Sequence, residues 1–156
     1  MLTPEIQETL RPHQFTGKKI FFLSARVHPG ETPSSYVLNG FLDFVLSKTD
    51  PRAAILRQHY VFKFVPILNP DGVKRGYYRS DSRGVNLNRI YPGCTIQEHP
   101  TIYAVRLLLL DMHRRGLLLF YVDLHAHASK RGCFIYGNAL ESARQVGIYL
   151  YIDIYI

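Results

Sequence analysis

Short apolar runs and longer amphipathic stretches alternate along this chain of 156 residues. Four of the runs are too short for helices and rich in β-branched and aromatic side chains, which predicts buried strands at residues 18–25, 61–68, 117–123 and 133–136. Between them, apolar positions recur at helical spacing behind proline-containing start signals. This pattern predicts helices at residues 33–48, 51–59 and 100–115.

The order of these elements predicts the fold class. Strands that alternate with helices favour an α/β fold with a mixed, largely parallel sheet flanked by helices. Asn69-Pro70-Asp71-Gly72 is expected to break the second strand, and residues 73–100 lack sustained periodicity, so they predict a long loop of the kind that usually carries function. Residues 149–156 are apolar and β-prone, and we expect them either to fill an exposed sheet edge or to promote aggregation.

Composition and charge narrow the class of protein. Hydrophobic residues make up 47% and charged residues 20%, a balance typical of a folded globular domain, and the two cysteines are too few for a disulfide framework. The low cysteine count predicts a reducing compartment. No apolar run reaches the ~18 residues of a membrane helix, and the first residues do not form a secretory signal. The net charge of +7 favours acidic partners, although the basic residues are spread widely enough to form an ordinary solvated surface.

Potential metal ligands follow two of the predicted strands. His28 and Glu31 come after the first strand, and His125 and His127 lie at the end of the third. Sites in open α/β sheets collect at the carboxyl ends of strands, so we expect these side chains to face one site. A catalytic zinc commonly takes three ligands from His and Glu and keeps one position for water, which suits His28, Glu31 and one of the two later histidines. The alternatives are a surface loop and imidazoles that only form hydrogen bonds.

The long loop carries side chains that suit an anionic substrate. Arg79 lies in its first part, and Asn88-Arg89 closes the string NLNR. A guanidinium binds a carboxylate through two parallel hydrogen bonds, and an amide adds a further donor. Asn88 and Arg89 therefore suit the terminal carboxylate of a peptide.

Taken together, HPGET, NPDG, the Arg79 loop, NLNR and DLHAH resemble the motifs of the M14 zinc carboxypeptidases, and most closely those of the cytosolic carboxypeptidase subfamily, which includes tubulin deglutamylases. The resemblance covers residues 20–138. It implies an incomplete zinc-carboxypeptidase fold, as in a truncated form. Residues 1–19 would be an N-terminal lead-in, residues 20–138 a partial catalytic domain and residues 139–156 a divergent tail.

The resemblance also implies the metal and its ligands. One zinc ion would be bound by His28, Glu31 and His125, whereas His127 has no ligand counterpart in the family. A zinc ion in such a site polarises the scissile carbonyl and lowers the pKa of its bound water to about 7.

The remaining roles in the reaction are implied in the same way. Arg79 would polarise the scissile carbonyl, and Asn88 with Arg89 would hold the C-terminal carboxylate of the substrate. The family supplies its general-base glutamate from a strand well after the third zinc ligand. This chain diverges near residue 139, and its last acids, Glu141 and Asp153, match no such motif. We therefore expect the general base to be missing and turnover to be impaired.

The function that the resemblance implies is protein deglutamylation. The chain would remove C-terminal or branch glutamates from polyglutamylated proteins such as tubulin. Its partners would be glutamylated tubulin or other acidic protein tails, not nucleic acid or a membrane. Its location would be the cytosol, with the nucleus and microtubule structures as further sites.

Two other functions are compatible with the same residues. The first is a non-catalytic module that contains zinc and binds acidic C-terminal tails without cleaving them. The second is another zinc hydrolase in which His125-x-His127 forms the main ligand pair. This second alternative predicts that His127→Ala loses the metal and that His28→Ala keeps it.

Overall fold

The computed structural model describes residues 15–137 and the backbone of residues 150–155. The strands are β1 (Lys19–Ala25), β2 (Tyr60–Val65), β3 (Leu118–His125), β4 (Phe134–Gly137) and β5 (Leu150–Tyr155). The helices are α1 (Pro33–Leu46), α2 (Pro51–His59), α3 (Pro70–Arg75) and α4 (Pro100–Arg114). Single 3-10 turns lie at Leu87–Arg89 and Tyr91–Gly93.

Within this part of the chain, the strands form one sheet in the order β2-β1-β3-β5-β4. Strands β2, β1, β3 and β5 run parallel, and β4 pairs antiparallel with β5. This confirms the predicted α/β class with a mixed, largely parallel sheet. Ser24 of β1 lies beside Val65 of β2 and beside Asp123 of β3. The carboxyl ends of these three strands therefore open on the same edge of the sheet.

The two faces of the sheet belong to separate apolar clusters because successive side chains of a strand point to opposite sides. On one face, Phe22 and Tyr121 pack with residues of α4 such as Ile102 and with the long loop. On the other face, a second cluster joins the sheet to α1 through Leu23, Ala25, Leu38, Val122 and Leu124. Helices thus cover both faces of the sheet, and its carboxyl edge is the place where a site can form.

Several element boundaries differ from the prediction for local reasons. β2 ends at Val65 and not at residue 68, because Pro66 has no N–H to continue the ladder. β3 continues to His125, so this histidine belongs to the strand itself. Asp50 caps α2 by accepting from the backbone N–H of Arg52 at 2.8 Å, whereas Thr32 makes no side-chain cap bond for α1.

Asn69-Pro70-Asp71-Gly72 does more than end a strand, because it begins α3. The Asn69 side chain accepts from the backbone N–H of Gly72 at 3.0 Å, and Pro70 takes the first helical position. The helix ends at Gly76, whose φ of +70° lies in the left-handed region that favours glycine. The predicted long loop over residues 73–100 is therefore wrong at its start, which belongs to α3, and the rest of it contains the two 3-10 turns.

The β-prone tail supplies a strand, since β5 lies parallel to β3 and antiparallel to β4. Glu141 lies outside the described residues, as do residues 1–14 of the predicted lead-in. In the portion that the structure describes, no helix combines the length and the apolar character needed to cross a membrane.

Candidate metal centre

A sharp turn after β1 presents His28 and Glu31 at the carboxyl edge of the sheet. Arg26 adopts a left-handed backbone conformation with φ 58°, and its guanidinium donates to the carbonyl oxygen of Pro29 at 2.7 Å. The N–H of Gly30 donates to the carbonyl oxygen of Tyr78 at 2.8 Å. A Cβ at this glycine would lie 2.8 Å from the same oxygen, so only glycine lets the turn approach the long loop this closely.

Glu31 lies between the two predicted histidine ligands. His28 Nδ1 is 2.8 Å from Glu31 Oε1, and His125 Nδ1 is 3.0 Å from Glu31 Oε2, across 94 positions of sequence. One ligand atom from each of the three side chains lies within 4.8 Å of the other two. The structure therefore brings together His28, Glu31 and His125, as the sequence predicts.

This set of donors fits a catalytic zinc site. Two imidazoles and one glutamate are a common zinc ligand set that leaves a fourth position open. His28 is 3% exposed, and its Nδ1 has no partner with hydrogen-bond geometry among the described residues, although Glu31 Oε1 lies close to it. A buried nitrogen in this situation suits coordination better than hydrogen bonding.

The three side chains form a largely buried ion-pair cluster. Burial acts to raise the pKa of Glu31, but contacts with His125, with His28 and with the N–H of Ala126 outweigh it and lower this pKa to about 2. Burial acts to lower the pKa of His125, but Asp123 and Glu31 raise it to about 10. These two carboxylates thus favour the protonated imidazole of His125, and metal binding at this ring would displace a proton.

Each candidate histidine ligand also contacts a second polar side chain through its other ring nitrogen. His28 Nε2 lies 3.1 Å from Asn86 Oδ1, and His125 Nε2 lies 3.0 Å from Asp123 Oδ2. The sequence motifs predict no role for Asn86 or Asp123. The available signal for Asp123 was its spacing, because residues two apart on a strand share a face.

A cavity of about 360 Å³ opens beside the cluster. Its lining includes His28, Glu31, Arg79 and His127, together with Gly30, Tyr78, Ala126 and Ala128. Arg79 Nη1 lies 3.5 Å from Glu31 Oε1, and its side chain is 46% exposed. A guanidinium is thus available to a molecule in the cavity, next to the candidate ligands.

Comparison with known proteins identifies the family. The family model for zinc carboxypeptidases, Peptidase M14, matches residues 5–104. The chain belongs to the zinc carboxypeptidase family. Zinc is therefore the metal that the family implies for the cluster of His28, Glu31 and His125.

Individual relatives show which zinc carboxypeptidases this chain resembles. The chain is 53% identical over 144 residues to cytosolic carboxypeptidase-like protein 5 of Danio rerio, which covers 92% of this chain and 15% of that protein. It is 50% identical over 135 residues to cytosolic carboxypeptidase 6 of Caenorhabditis elegans, covering 85% of this chain and 29% of that protein. The chain thus spans less than a third of the length of either relative.

Solved structures support the same fold. The metallo-carboxypeptidase from Burkholderia cenocepacia superposes with a TM-score of 0.70 at 29% identity. The match covers 81% of this chain and 34% of that chain. The observed sheet is therefore that of a zinc carboxypeptidase over most of the described residues.

In this member of the zinc carboxypeptidase family, the residues predicted to hold the substrate carboxylate are not among the residues that line the cavity. Asn88 and Arg89 lie on the 3-10 turn Leu87–Arg89, and the Arg89 side chain is exposed and donates to the carbonyl oxygen of Asn88 at 3.1 Å. The turn is nevertheless tied to the metal centre. Asn86 Oδ1 accepts from the N–H of Asn88 at 3.0 Å and also contacts His28.

Proposed function

We propose that this chain is a zinc-dependent metallocarboxypeptidase core in which one zinc ion is held by His28, Glu31 and His125. The observation that carries the proposal is that their ligand atoms lie within 4.8 Å of one another at the carboxyl edge of the sheet. Membership of the zinc carboxypeptidase family supports this choice of metal.

A zinc ion in this site would supply a bound water of lowered pKa and a Lewis acid for the scissile carbonyl. Arg79 would donate to the oxygen of that carbonyl as negative charge develops on it. A single donor in this role contributes ~2.7 to 4 kcal/mol in other hydrolases. Its partly exposed guanidinium beside Glu31 supports this assignment.

The substrate class that we propose is the glutamate-rich tail of a polyglutamylated protein such as tubulin, from which C-terminal or branch glutamates are removed. The similarity to cytosolic carboxypeptidases and the net charge of +7 support an acidic substrate. Asn88 and Arg89 would hold the terminal carboxylate. The same similarity supports a location in the cytosol, and we extend the proposal to the nucleus and to microtubule structures.

We further propose that turnover by the described residues is impaired, because no carboxylate that lines the cavity among them is free to act as general base. Among the residues that the structure describes, Glu31 is the one carboxylate that lines the cavity, and both of its oxygens face candidate metal ligands. It is therefore not available to take a proton from the attacking water.

The same observation favours a second function, a non-catalytic module that contains zinc and binds acidic tails. Release of glutamate from a polyglutamylated peptide separates the two functions, with Arg79→Ala as the comparison. Slow, zinc-dependent release that falls further in Arg79→Ala supports the peptidase. Zinc-dependent binding of the peptide without any release supports the module.

A zinc hydrolase built on His125-x-His127 receives less support. His127 Nδ1 accepts from the N–H groups of Ser129 at 3.2 Å and Lys130 at 3.1 Å, so this nitrogen is already used. His127 is also not part of the three-residue cluster.

The decisive experiment measures the zinc content of the chain after dialysis. We expect about one zinc per chain in the wild type and in His127→Ala. We expect loss of the metal in His28→Ala and His125→Ala. His59→Ala is the matched control, because His59 is an exposed histidine at the end of α2. Zinc that stays in His28→Ala and leaves in His127→Ala would refute the proposed ligand set.

A further inference from the structure

A row of buried polar side chains lies on the sheet face beneath the metal centre. Ser24 of β1 and Asp123 of β3 are register partners, and both are completely buried. The hydroxyl of Ser24 lies 2.6 Å from Asp123 Oδ1 and 3.1 Å from the hydroxyl of Tyr121. The hydroxyl of Tyr121 lies 3.2 Å from that of Tyr91, near the partly exposed end of the row.

The hydroxyl of Ser24 connects the carboxylate of Asp123 to the two tyrosine hydroxyls. An ionised carboxylate can only accept, so the single hydroxyl proton of Ser24 goes to Asp123. The hydroxyl of Ser24 also has donor geometry toward the Tyr121 oxygen, which in turn contacts the hydroxyl of Tyr91. The contacts of this row thus fix the orientation of the Asp123 carboxylate through the hydroxyl of Ser24.

The second oxygen of Asp123 faces the metal centre. Asp123 Oδ2 lies 3.0 Å from His125 Nε2, a short contact in which the two atoms do not meet hydrogen-bond geometry, while Nδ1 of the same ring faces Glu31. A buried carboxylate is costly unless a positive or hydrogen-bonding group compensates it. The imidazole of His125 thus connects the row of hydroxyls to the candidate zinc ligands.

We propose that Asp123 is a positioning residue for the zinc ligand His125, and that Ser24, Tyr121 and Tyr91 hold Asp123 in its place. This inference rests on the proposed function, since it requires His125 to bind the metal. The contact of Asp123 with Nε2 fixes the orientation of the ring, so that Nδ1 faces Glu31, where the ion would bind. None of these four residues touches the substrate in this role.

The test measures zinc affinity by competition with a chromophoric chelator and the visible spectrum of the Co²⁺-loaded chain. Asp123→Asn keeps the shape of the side chain and removes its charge, and we expect roughly 10- to 100-fold weaker zinc binding with an altered Co²⁺ spectrum. Ser24→Ala and Tyr121→Phe should cause smaller losses in that order, and Tyr91→Phe should cause almost none. Asp111→Asn is the matched control, because Asp111 is an exposed acid of α4.

Circular dichroism of the metal-free chains shows whether each variant is folded. Folded Asp123→Asn with wild-type zinc affinity and an unchanged Co²⁺ spectrum would overturn the inference. If Asp123→Asn does not fold, wild-type affinity in both Ser24→Ala and Tyr121→Phe would overturn it equally. A wild-type chain that binds no zinc, or a His28→Ala chain that binds it fully, would instead refute the proposed function.

Discussion

Glu31 organises the site at the scale of single residues because each of its oxygens faces a different imidazole. Oε1 lies beside His28, Oε2 lies beside His125, and Oε2 also accepts from the N–H of Ala126 at 2.9 Å. These contacts fix the carboxylate before any ion is present. A preformed donor set of this kind reduces the conformational entropy that metal binding costs.

Asn86 provides the sharpest prediction at this scale. Its Oδ1 contacts His28 Nε2 and accepts from the N–H of Asn88, so Asn86→Ala removes support from a zinc ligand and from the NLNR turn together. Loss of such an outer contact typically weakens metal binding by roughly 10- to 100-fold. Asn88→Ala is the matched control, because only the backbone of Asn88 takes part. Equal zinc affinities of the two variants in a chelator competition would contradict this role of Asn86.

At the scale of the structural elements, Asn69 connects α3 to the turn after β1 and to the loop that carries Arg79. Its amide donates to the carbonyl oxygens of Val27 at 3.3 Å and Ser80 at 3.2 Å, and its oxygen caps α3 through Gly72. Asn69 therefore ties the end of β1 to the loop that carries Arg79.

Replacement of this side chain should destabilise the fold. Asn69 is 1% exposed, so Asn69→Ala leaves buried backbone groups unpaired, and we expect a loss of about 1–3 kcal/mol in the free energy of unfolding. Urea denaturation monitored by circular dichroism measures this loss. Asp71→Asn, at an exposed position of the same helix, should change the stability much less, and an equally large effect there would argue against the role of Asn69.

Replacing two glycines with alanine should change the stability of the fold in opposite directions. A Cβ at Gly72 would lie 2.5 Å from Pro29 Cγ and 2.7 Å from Asn69 Oδ1, so Gly72→Ala forces the turn and the helix apart and should cost about 1–3 kcal/mol. A Cβ at Gly40 in α1 would meet nothing within 4 Å, so Gly40→Ala should stabilise the chain by about 0.5–1 kcal/mol. Thermal unfolding of the two variants tests both signs, and stabilisation by Gly72→Ala would refute the close packing.

The sequence predicts most of the elements and the convergence of the candidate ligands because both depend on local signals and on strand order. Short apolar runs place β1 and β3, and parallel strands bring their carboxyl ends together with His28 and His125. The helix at α3 was not predicted, because Asn69-Pro70 is equally a turn signal and a capped helix start. The contacts of Asn86 and Asp123 depend on tertiary packing, which no local pattern encodes.

At the scale of the whole molecule, metal binding and folding should be coupled, because the ligands come from distant parts of the chain. His28 and Glu31 follow β1, and His125 ends β3, so the ion would connect two neighbouring strands at their carboxyl edge. An ion that binds only the folded state adds about 2.7 kcal/mol of stability when its free concentration is 100 times its Kd.

Zinc removal should therefore lower the melting temperature of the wild-type chain. We expect the melting temperature to fall on dialysis against a chelator, to recover when zinc is returned, and to rise with zinc concentration. The melting temperature of His28→Ala should be the same with and without zinc. A zinc-dependent melting temperature in His28→Ala equal to that of the wild type would show that the ion stabilises the fold from another position.

The central claim is that three side chains from two strand ends share one zinc ion, and diffraction at the zinc absorption edge tests it most directly. A crystal grown with equimolar zinc should give one strong anomalous peak, about 2.0–2.2 Å from ligand atoms of His28, Glu31 and His125. A zinc-loaded crystal with no peak at these residues, or with its peak on His127 and away from His28, would contradict the account.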